Sequence, residues 1–158
     1  MLRRVFLSAL SFTLLLFGSI TVAYANELVV PDPAIAPVEV VAIQLKALQF
    51  NDNPTSDFGI AQTWNFAHPR NRAMTGPLPR FASMIKGPAY ANMIDHASHR
   101  ISLAQEQDGI RQFDVLLETS MGQVLYFQWT VEKVKSGEFQ DCWMTVGVSM
   151  PKPMGQGS

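Results

Sequence analysis

The most unusual polar cluster of the sequence is the segment from His68 to Arg72, which reads His-Pro-Arg-Asn-Arg. It places an imidazole beside two guanidinium groups, at what the pattern predicts to be a helix end. The neighbouring charges would lower the pKa of His68, as suits a general base, and Arg70 and Arg72 could bind a carboxylate or a phosphate. Alternatively, His68 and Arg70 cap the preceding helix and fasten the next loop to a sheet, since cations near helix C-termini are common.

A second candidate is the segment from Asp95 to His99, which holds two imidazoles and a carboxylate. On a helix, His96 and His99 could share a face and bind a metal ion together. In a strand they would point to opposite faces and could not chelate together. Because no third, distant ligand stands out, the sequence predicts neither a metal site nor a cofactor.

Asp52, Asp57 and Asp141 are the carboxylates nearest to apolar or aromatic sequence. A buried carboxylate has a raised pKa and can serve as a general base. The alternative for Asp52 is a helix-terminating turn, and the alternative for Asp141 is a hairpin. The candidate catalytic residues are therefore His68, Asp52 and Asp141, and each has a structural interpretation beside the chemical one.

Large aromatic side chains could either fill the core or line a pocket, and the core is the more common place for them. Trp129 lies on an apolar strand pattern and is predicted to be packed, whereas Trp64 and Tyr90 are predicted at a pocket rim. The sequence contains no glycine-rich phosphate loop, nucleophile elbow or basic stripe. The candidate ligand-binding residues are Trp64, His68, Arg70, Arg72 and Tyr90.

The first half of the domain has helical patterns. Apolar residues with three- and four-residue spacing predict an amphipathic helix that starts near Pro37 and ends at the turn 51–54. A second helix is predicted from about Gly59 to Ala67, before Pro69. Residues 71–79 are predicted as a loop, and helical turns are predicted over 80–86 and 90–94. The face predicted for the first helix consists of Val38, Val41, Leu45 and Leu48.

After His96 the apolar period changes to two, which indicates strands. Short turns separate the runs and predict an antiparallel meander, in which Leu125, Phe127, Trp129 and Val131 share an apolar face. Helices followed by strands predict an α+β domain, with the helices packed on a curved antiparallel sheet of four or more strands as a cone. The mouth of such a cone is a common ligand pocket. The predicted strands cover residues 100–106, 111–119, 124–134 and 140–150.

One set of residues follows a recognisable order along the chain: Phe66-Ala67-His68-Pro69, Thr75-Gly76-Pro77, Phe81, Met84-Ile85, Tyr90 and the segment from Trp143 to Gly147-Val148. This order resembles the uncharacterised family named domain of unknown function 4864. The resemblance covers about Val38 to Met150 and implies a cone-shaped fold similar to nuclear transport factor two. The family brings no assigned activity, so it implies no site residue.

The N-terminus has the pattern of a secretory signal peptide. Arg3 and Arg4 precede an uncharged apolar run, and Ala23-Tyr24-Ala25 provides the small residues of a cleavage site after Ala25. The expected location is the periplasm, a lumen or the extracellular space, with no stable membrane insertion after cleavage. A Pro-rich leader (residues 26–37) would precede a single domain (residues 38–150) and a flexible tail (residues 151–158).

The composition limits the partners of the mature chain. Removing 25 of 158 residues leaves 133, with 10 basic and 13 acidic side chains and a net charge of −3, which argues against nucleic acid. Cys142 is the only cysteine, so no intramolecular disulfide can form, and a buried thiol is expected.

The sequence predicts a non-enzymatic module that binds a small apolar or amphipathic ligand, or a partner protein. One alternative is a pocket enzyme of the isomerase, dehydratase or hydrolase kind, with His68 or an Asp as general base. Another is a structural assembly factor of an envelope or lumenal complex. A homodimer through the sheet is a further possibility.

Overall fold

The structure is a computed structural model and describes residues 27–156. The predicted signal peptide, residues 1–25, lies outside this part of the chain. Four α-helices come first and a five-stranded antiparallel sheet that does not close follows, which confirms the predicted α+β class. None of the helices in residues 27–156 is long and apolar enough to cross a membrane.

The helices occupy residues 37–85, and one short 3-10 turn connects them to the sheet. The second predicted helix is confirmed with its end two residues earlier, at Asn65. The elements are α1 (Pro37–Gln49), α2 (Phe58–Asn65), α3 (Pro69–Thr75), α4 (Leu78–Ile85) and the 3-10 turn (Ala91–Met93).

Helix α1 begins at the predicted proline because Pro37 has no N–H to leave unpaired at the first helical position. The backbone N–H of Ala36 donates to the Glu39 carboxylate at 2.9 Å, which stabilises the same end. The predicted face is wrong at Val38, which is 44% exposed, because the buried stripe is centred on Val41, Gln44 and Leu48 and Val38 lies at its edge in the first turn. The buried residues of α1 are Val40, Val41, Gln44, Leu45 and Leu48.

Helix α3 lies where the sequence predicts a loop over residues 71–79. His68 takes the N-cap position, and its Nδ1 accepts a hydrogen bond from the Arg70 N–H at 3.1 Å. Pro69 then occupies the first helical position, where its missing N–H costs nothing. The prediction fails because Pro69 ends the preceding helical pattern and also starts a new helix.

Helix α2 packs directly on α1 through a glycine. A Cβ atom at Gly59 would lie 2.1 Å from the carbonyl oxygen of Ala47, so no other residue fits between the two backbones. The Gly59 N–H donates to the Asn51 carbonyl oxygen at 2.9 Å and holds this contact together.

Strands β1 to β4 form the predicted antiparallel meander in sequence order. Strand β3 is central, and its predicted apolar face is buried against α1 and the other helices. The strands are β1 (Ser98–Gln107), β2 (Ile110–Glu118), β3 (Gln123–Lys133), β4 (Trp143–Val148) and β5 (Lys152–Gln156).

Strand β5 occupies most of the segment that the sequence predicts to be a flexible tail. Strand β4 pairs with β3 from Trp129 to Lys133, and β5 pairs with β3 from Gln123 to Tyr126. Strand β2 pairs along the other edge of β3, so β4 and β5 share one edge. The tail prediction is wrong for Lys152–Gln156 because β4 is too short to satisfy the whole backbone edge of β3.

The described part of the leader is attached to α2. The Val29 N–H donates to Oε1 of Gln62 at 2.7 Å, and the Val29 carbonyl oxygen accepts from Nε2 of Gln62 at 2.9 Å. Asn65 donates to the same carbonyl oxygen at 2.7 Å. The described part of the leader, residues 27–36, therefore follows the surface of the domain.

Candidate functional site

A cavity of about 200 Å³ lies between the helices and strands β3 and β4. All four helices contribute to its lining, so the cavity forms only where they pack together on the sheet. Its residues are Gln44, Leu48, Thr63, Ala67, Asn71, Met74, Thr75, Phe81, Met84, Ile85, Tyr90, Met93, Trp129, Thr145, Val146, Gly147 and Val148.

The buried side of the cavity carries a polar network, which we call the Gln44 network, formed by Gln44, Thr63, Trp129 and Thr145. Oε1 of Gln44 accepts from the Thr145 hydroxyl at 2.6 Å and from Nε1 of Trp129 at 3.1 Å. Trp129 also donates to the Thr145 hydroxyl oxygen at 3.1 Å. Nε2 of Gln44 donates to the carbonyl oxygen of Thr63 at 3.0 Å. All four residues are buried, so these hydrogen bonds replace the hydrogen bonds to water that are lost on burial.

The open side of the cavity is formed by α3 and the segment before the 3-10 turn. Met74 on α3 is 74% exposed and marks the mouth. Tyr90 is half-buried, its hydroxyl donates to the Val148 carbonyl oxygen at 3.2 Å, and burial raises the pKa of the phenol. Nδ2 of Asn71 donates to the Thr145 carbonyl oxygen at 3.1 Å, which attaches α3 to β4.

The cavity lining is uncharged. Among the described residues that line it there is no Asp, Glu, Lys, Arg or His, and Tyr90 is the one group with an acidic proton on a side chain. An uncharged, mainly apolar lining with a few fixed polar groups is typical of a small-molecule binding site.

His68 lies outside this cavity and acts as a helix cap. Its Nδ1 accepts from the Arg70 N–H, and its own N–H donates to the Thr145 carbonyl oxygen at 2.9 Å. Burial lowers the pKa of His68, the carboxylate of Glu132 opposes this, and Arg70 lowers it further. The capping alternative therefore describes His68, although it caps the following helix and not the preceding one.

The two arginines of the same segment also have structural partners. Arg70 forms an ion pair with Glu132 on β3. Arg72 donates to the Asn65 carbonyl oxygen at 2.8 Å, and its guanidinium lies 5.3 Å from the ring centres of both Trp64 and Phe139. Trp64 also contacts Phe81 at 5.2 Å between ring centres. Of the predicted ligand-binding residues, only Tyr90 therefore lines the cavity.

The three carboxylates lie in turns, which the structural alternatives predict for Asp52 and Asp141. Asp52 accepts from the Asn51 amide at 2.7 Å and from the Asp57 N–H at 2.9 Å. Asp57 binds Lys86 at 2.6 Å, and this hydrogen bond lowers the pKa of the Asp57 carboxyl. Asp141 has φ of 66° in the turn before β4. None of the three lines the cavity.

His96 and His99 contact each other, although His99 belongs to strand β1. Asp95 has φ of 53°, and this turn brings Nε2 of His96 to 2.7 Å from Nδ1 of His99. Nδ1 of His96 donates to the Met93 carbonyl oxygen at 2.7 Å. Within residues 27–156 no group of three or more His, Cys, Asp or Glu side chains is placed to hold a metal ion. The two rings are joined by this hydrogen bond, a geometry that neither sequence alternative anticipated.

Cys142 is buried beside Val134, Met144 and Phe139. Burial raises the pKa of its thiol, and the charges of Asp32 and Asp141 raise it further. The thiol is therefore neutral and unreactive at neutral pH.

The sequence interpretation missed the polar residues of the Gln44 network. Gln44 lies three residues after Val41 and four before Leu48, so its spacing places it on the apolar face of α1. A glutamine on an apolar helix face needs buried hydrogen-bond partners, and that signal could have identified it. Thr145 and Thr63 lack such a signal, because threonine is common in both exposed and buried positions.

Comparison of the chain with protein-family models, with curated proteins and with solved structures gave no match. The resemblance to domain of unknown function 4864 therefore stays a prediction. What this chain can bind has to be argued from its own cavity.

Proposed function

We propose that this protein is a non-enzymatic binding protein that holds one small apolar or amphipathic ligand in the cavity beside the Gln44 network. The observation that carries the proposal is a cavity of about 200 Å³ with an apolar wall and a hydrogen-bonded polar side. In proteins, apolar cavities of about 150 Å³ stay free of water and bind small apolar molecules.

The wall of the cavity supplies the free energy of binding. Burying apolar ligand surface against Met84, Phe81 and Val148 stabilises the complex by about 25 cal/mol for each Å². The Gln44 network is already bonded within the protein, so it holds its shape when the cavity is empty. A preformed site avoids the free-energy cost of ordering side chains on binding.

The lack of an acid or base in the lining favours binding over catalysis. A general base has to reach the substrate within hydrogen-bond distance. His68, Asp52 and Asp141 lie outside the cavity, and the side chains of His68 and Asp52 have structural partners. The binding function needs none of them.

Filling the cavity tests the proposal. Val148 pairs with Trp129, lies on the inner face of the sheet and lines the cavity, so Val148→Phe adds a ring there. We expect the affinity for the neutral probe 2-acetylnaphthalene, measured by equilibrium dialysis, to fall at least tenfold. The matched control is Val38→Phe, because Val38 is exposed on α1 and outside the cavity.

Thermal unfolding of both variants shows whether they remain folded. A wild-type chain that binds no probe, or a folded Val148→Phe chain that binds as well as Val38→Phe, would rule out this cavity as a binding site. Native mass spectrometry of chain purified from its own compartment gives an independent measurement, with a one-to-one small-molecule complex as the expected result.

A further inference from the structure

The cavity has no partner for an ionised ligand. Neither a cation nor an anion lines it among the described residues, and Arg70 and Arg72 are engaged with Glu132, Asn65 and two aromatic rings. Moving a carboxylate or an ammonium group from water to such a site costs several kcal/mol without a compensating charge. The cavity therefore selects against charged molecules of the same size and shape.

On the buried side of the cavity, one hydrogen-bond donor, on Gln44, has no protein acceptor in the described structure. A carboxamide nitrogen carries two N–H groups. Nε2 of Gln44 donates one of them to the Thr63 carbonyl oxygen, and residues 27–156 provide no acceptor for the other. Oε1 of the same residue is occupied by Trp129 and Thr145, which fixes the amide orientation. A ligand with one acceptor oxygen can use the second N–H.

The remaining wall favours a flat ring. Met74, Met84 and Met93 bring three flexible thioethers to the cavity, and Phe81, Tyr90 and Trp129 contribute aromatic surface. Methionine sulfur makes favourable contacts with aromatic rings. Pairs of aromatic rings are stabilised by more than the burial of their area alone provides.

We propose that the ligand is an uncharged molecule with a planar ring and one hydrogen-bond acceptor, which lies among the methionine side chains and accepts from Nε2 of Gln44. This inference rests on the binding function proposed above and specifies its ligand class.

Three probes with the same ring test the charge and the acceptor separately. They are 2-acetylnaphthalene, which is neutral and has a carbonyl acceptor, naphthalene, which has none, and 2-naphthoate, which is ionised at pH 7. We expect naphthalene to bind roughly threefold to tenfold more weakly than the ketone, as one net hydrogen bond requires. We expect 2-naphthoate to bind at least a hundredfold more weakly than the ketone.

The acceptor part of the proposal is tested on Gln44→Leu. In this variant the ketone should lose its advantage over naphthalene, because the Nε2 donor is absent. The double variant Gln44→Leu/Thr145→Val is measured beside it, because the Thr145 hydroxyl loses its acceptor in Gln44→Leu. The ratio of the two affinities within one variant does not change with a general loss of stability. An unchanged advantage would overturn the role of Gln44.

Charge selection is tested by adding a cation at the mouth. Met74→Lys places an ammonium group on an exposed lining position of α3, and we expect it to improve 2-naphthoate binding at least tenfold. The control is Met121→Lys, because Met121 is 91% exposed and outside the cavity.

The outcomes separate the two proposals. If wild-type chain binds none of the probes, the binding function itself fails. If it binds 2-naphthoate within tenfold of the ketone, the binding function stands and the uncharged ligand class is wrong. If Met121→Lys improves 2-naphthoate binding as much as Met74→Lys does, the net charge of the protein and not the cavity determines the selection against charged ligands.

Discussion

At the scale of single residues, Gln44 places a carboxamide in the apolar interior. Its oxygen accepts from Thr145 and Trp129, and its nitrogen donates to Thr63. A buried polar group costs free energy only where a partner is missing. The loss of stability when Gln44 is replaced therefore depends on which hydrogen bonds its partners keep.

A double-mutant cycle tests this dependence. Gln44→Leu leaves the Thr145 hydroxyl and the Thr63 carbonyl without this partner, and we expect it to lower the free energy of unfolding by about 1–3 kcal/mol. Thr145→Val removes the hydroxyl with little change of shape. Because the double variant removes both groups of the 2.6 Å bond, its loss should be smaller than the sum of the single losses. Urea unfolding measures all four chains, and strict additivity would contradict the proposed coupling.

The His96–His99 pair predicts a loss of stability in mild acid. Burial lowers the pKa of both rings below the ordinary value of about 6.5, and His96 and Lys46 lower the pKa of His99 further. The Met93 carbonyl and Asp95 act against burial at His96. The unfolded chain therefore binds more protons below pH 6.5, so the free energy of unfolding should fall as the pH drops from about 6.5 to 5 and stay constant above 6.5.

Two variants separate this pair from His68, whose pKa is also lowered. His99→Gln keeps a side-chain amide near Nε2 of His96 and should reduce the pH dependence of the free energy of unfolding. His68→Asn keeps a side chain suited to the N-cap of α3 and should reduce it less. Urea unfolding at pH 7.5 and pH 5.5 gives the comparison. Equal pH dependence in wild type and His99→Gln would show that the pair is not the sensor.

At the scale of elements, the sequence predicts α1, α2 and the four strands of the meander because each has a regular apolar period. It fails at α3, which has no buried residue and therefore no periodic signal. It also fails at β5, where Lys152–Gln156 contains a proline and a glycine and is exposed throughout. Both elements form through contacts with distant residues, which local patterns do not encode.

Strand β5 should contribute measurably to stability. Deleting residues 152–158 removes its backbone hydrogen bonds to Gln123–Tyr126 and the contact of Lys152 with the Tyr126 ring. We expect the free energy of unfolding to fall by about 1–3 kcal/mol, since a few net hydrogen bonds of about 1 kcal/mol each are lost and part of the freed chain entropy is recovered.

The control is deletion of Gly157 and Ser158 alone, which leaves β5 intact. Urea unfolding compares the two truncated chains with the full chain. If the longer deletion is as stable as the control, residues 152–156 behave as the flexible tail that the sequence predicts.

At the scale of the whole molecule, the cavity is built from all four helices and two strands. The sequence predicts a ligand pocket on an α+β domain, and three of its candidate residues, His68, Arg70 and Arg72, do not line this cavity. They are candidates because they are polar and close in sequence. The lining residues come from separate segments between positions 44 and 148. Only Tyr90 among the predicted binding residues lies where the pocket forms.

Other predictions about the whole molecule stay predictions. Export and cleavage after Ala25 concern residues outside the described range. The family resemblance, the homodimer through the sheet and the assembly-factor alternative need measurements on the purified chain, such as light scattering for the dimer.

Strands β4 and β5 pair along the same edge of β3, and this arrangement affects the order in which the sheet can form. Its partner at Gln123–Tyr126 is β5, which follows all the other strands in the sequence. A ribosome makes this segment after the rest of the sheet, so a growing chain has its central strand half-paired along one edge until residues 152–156 have emerged.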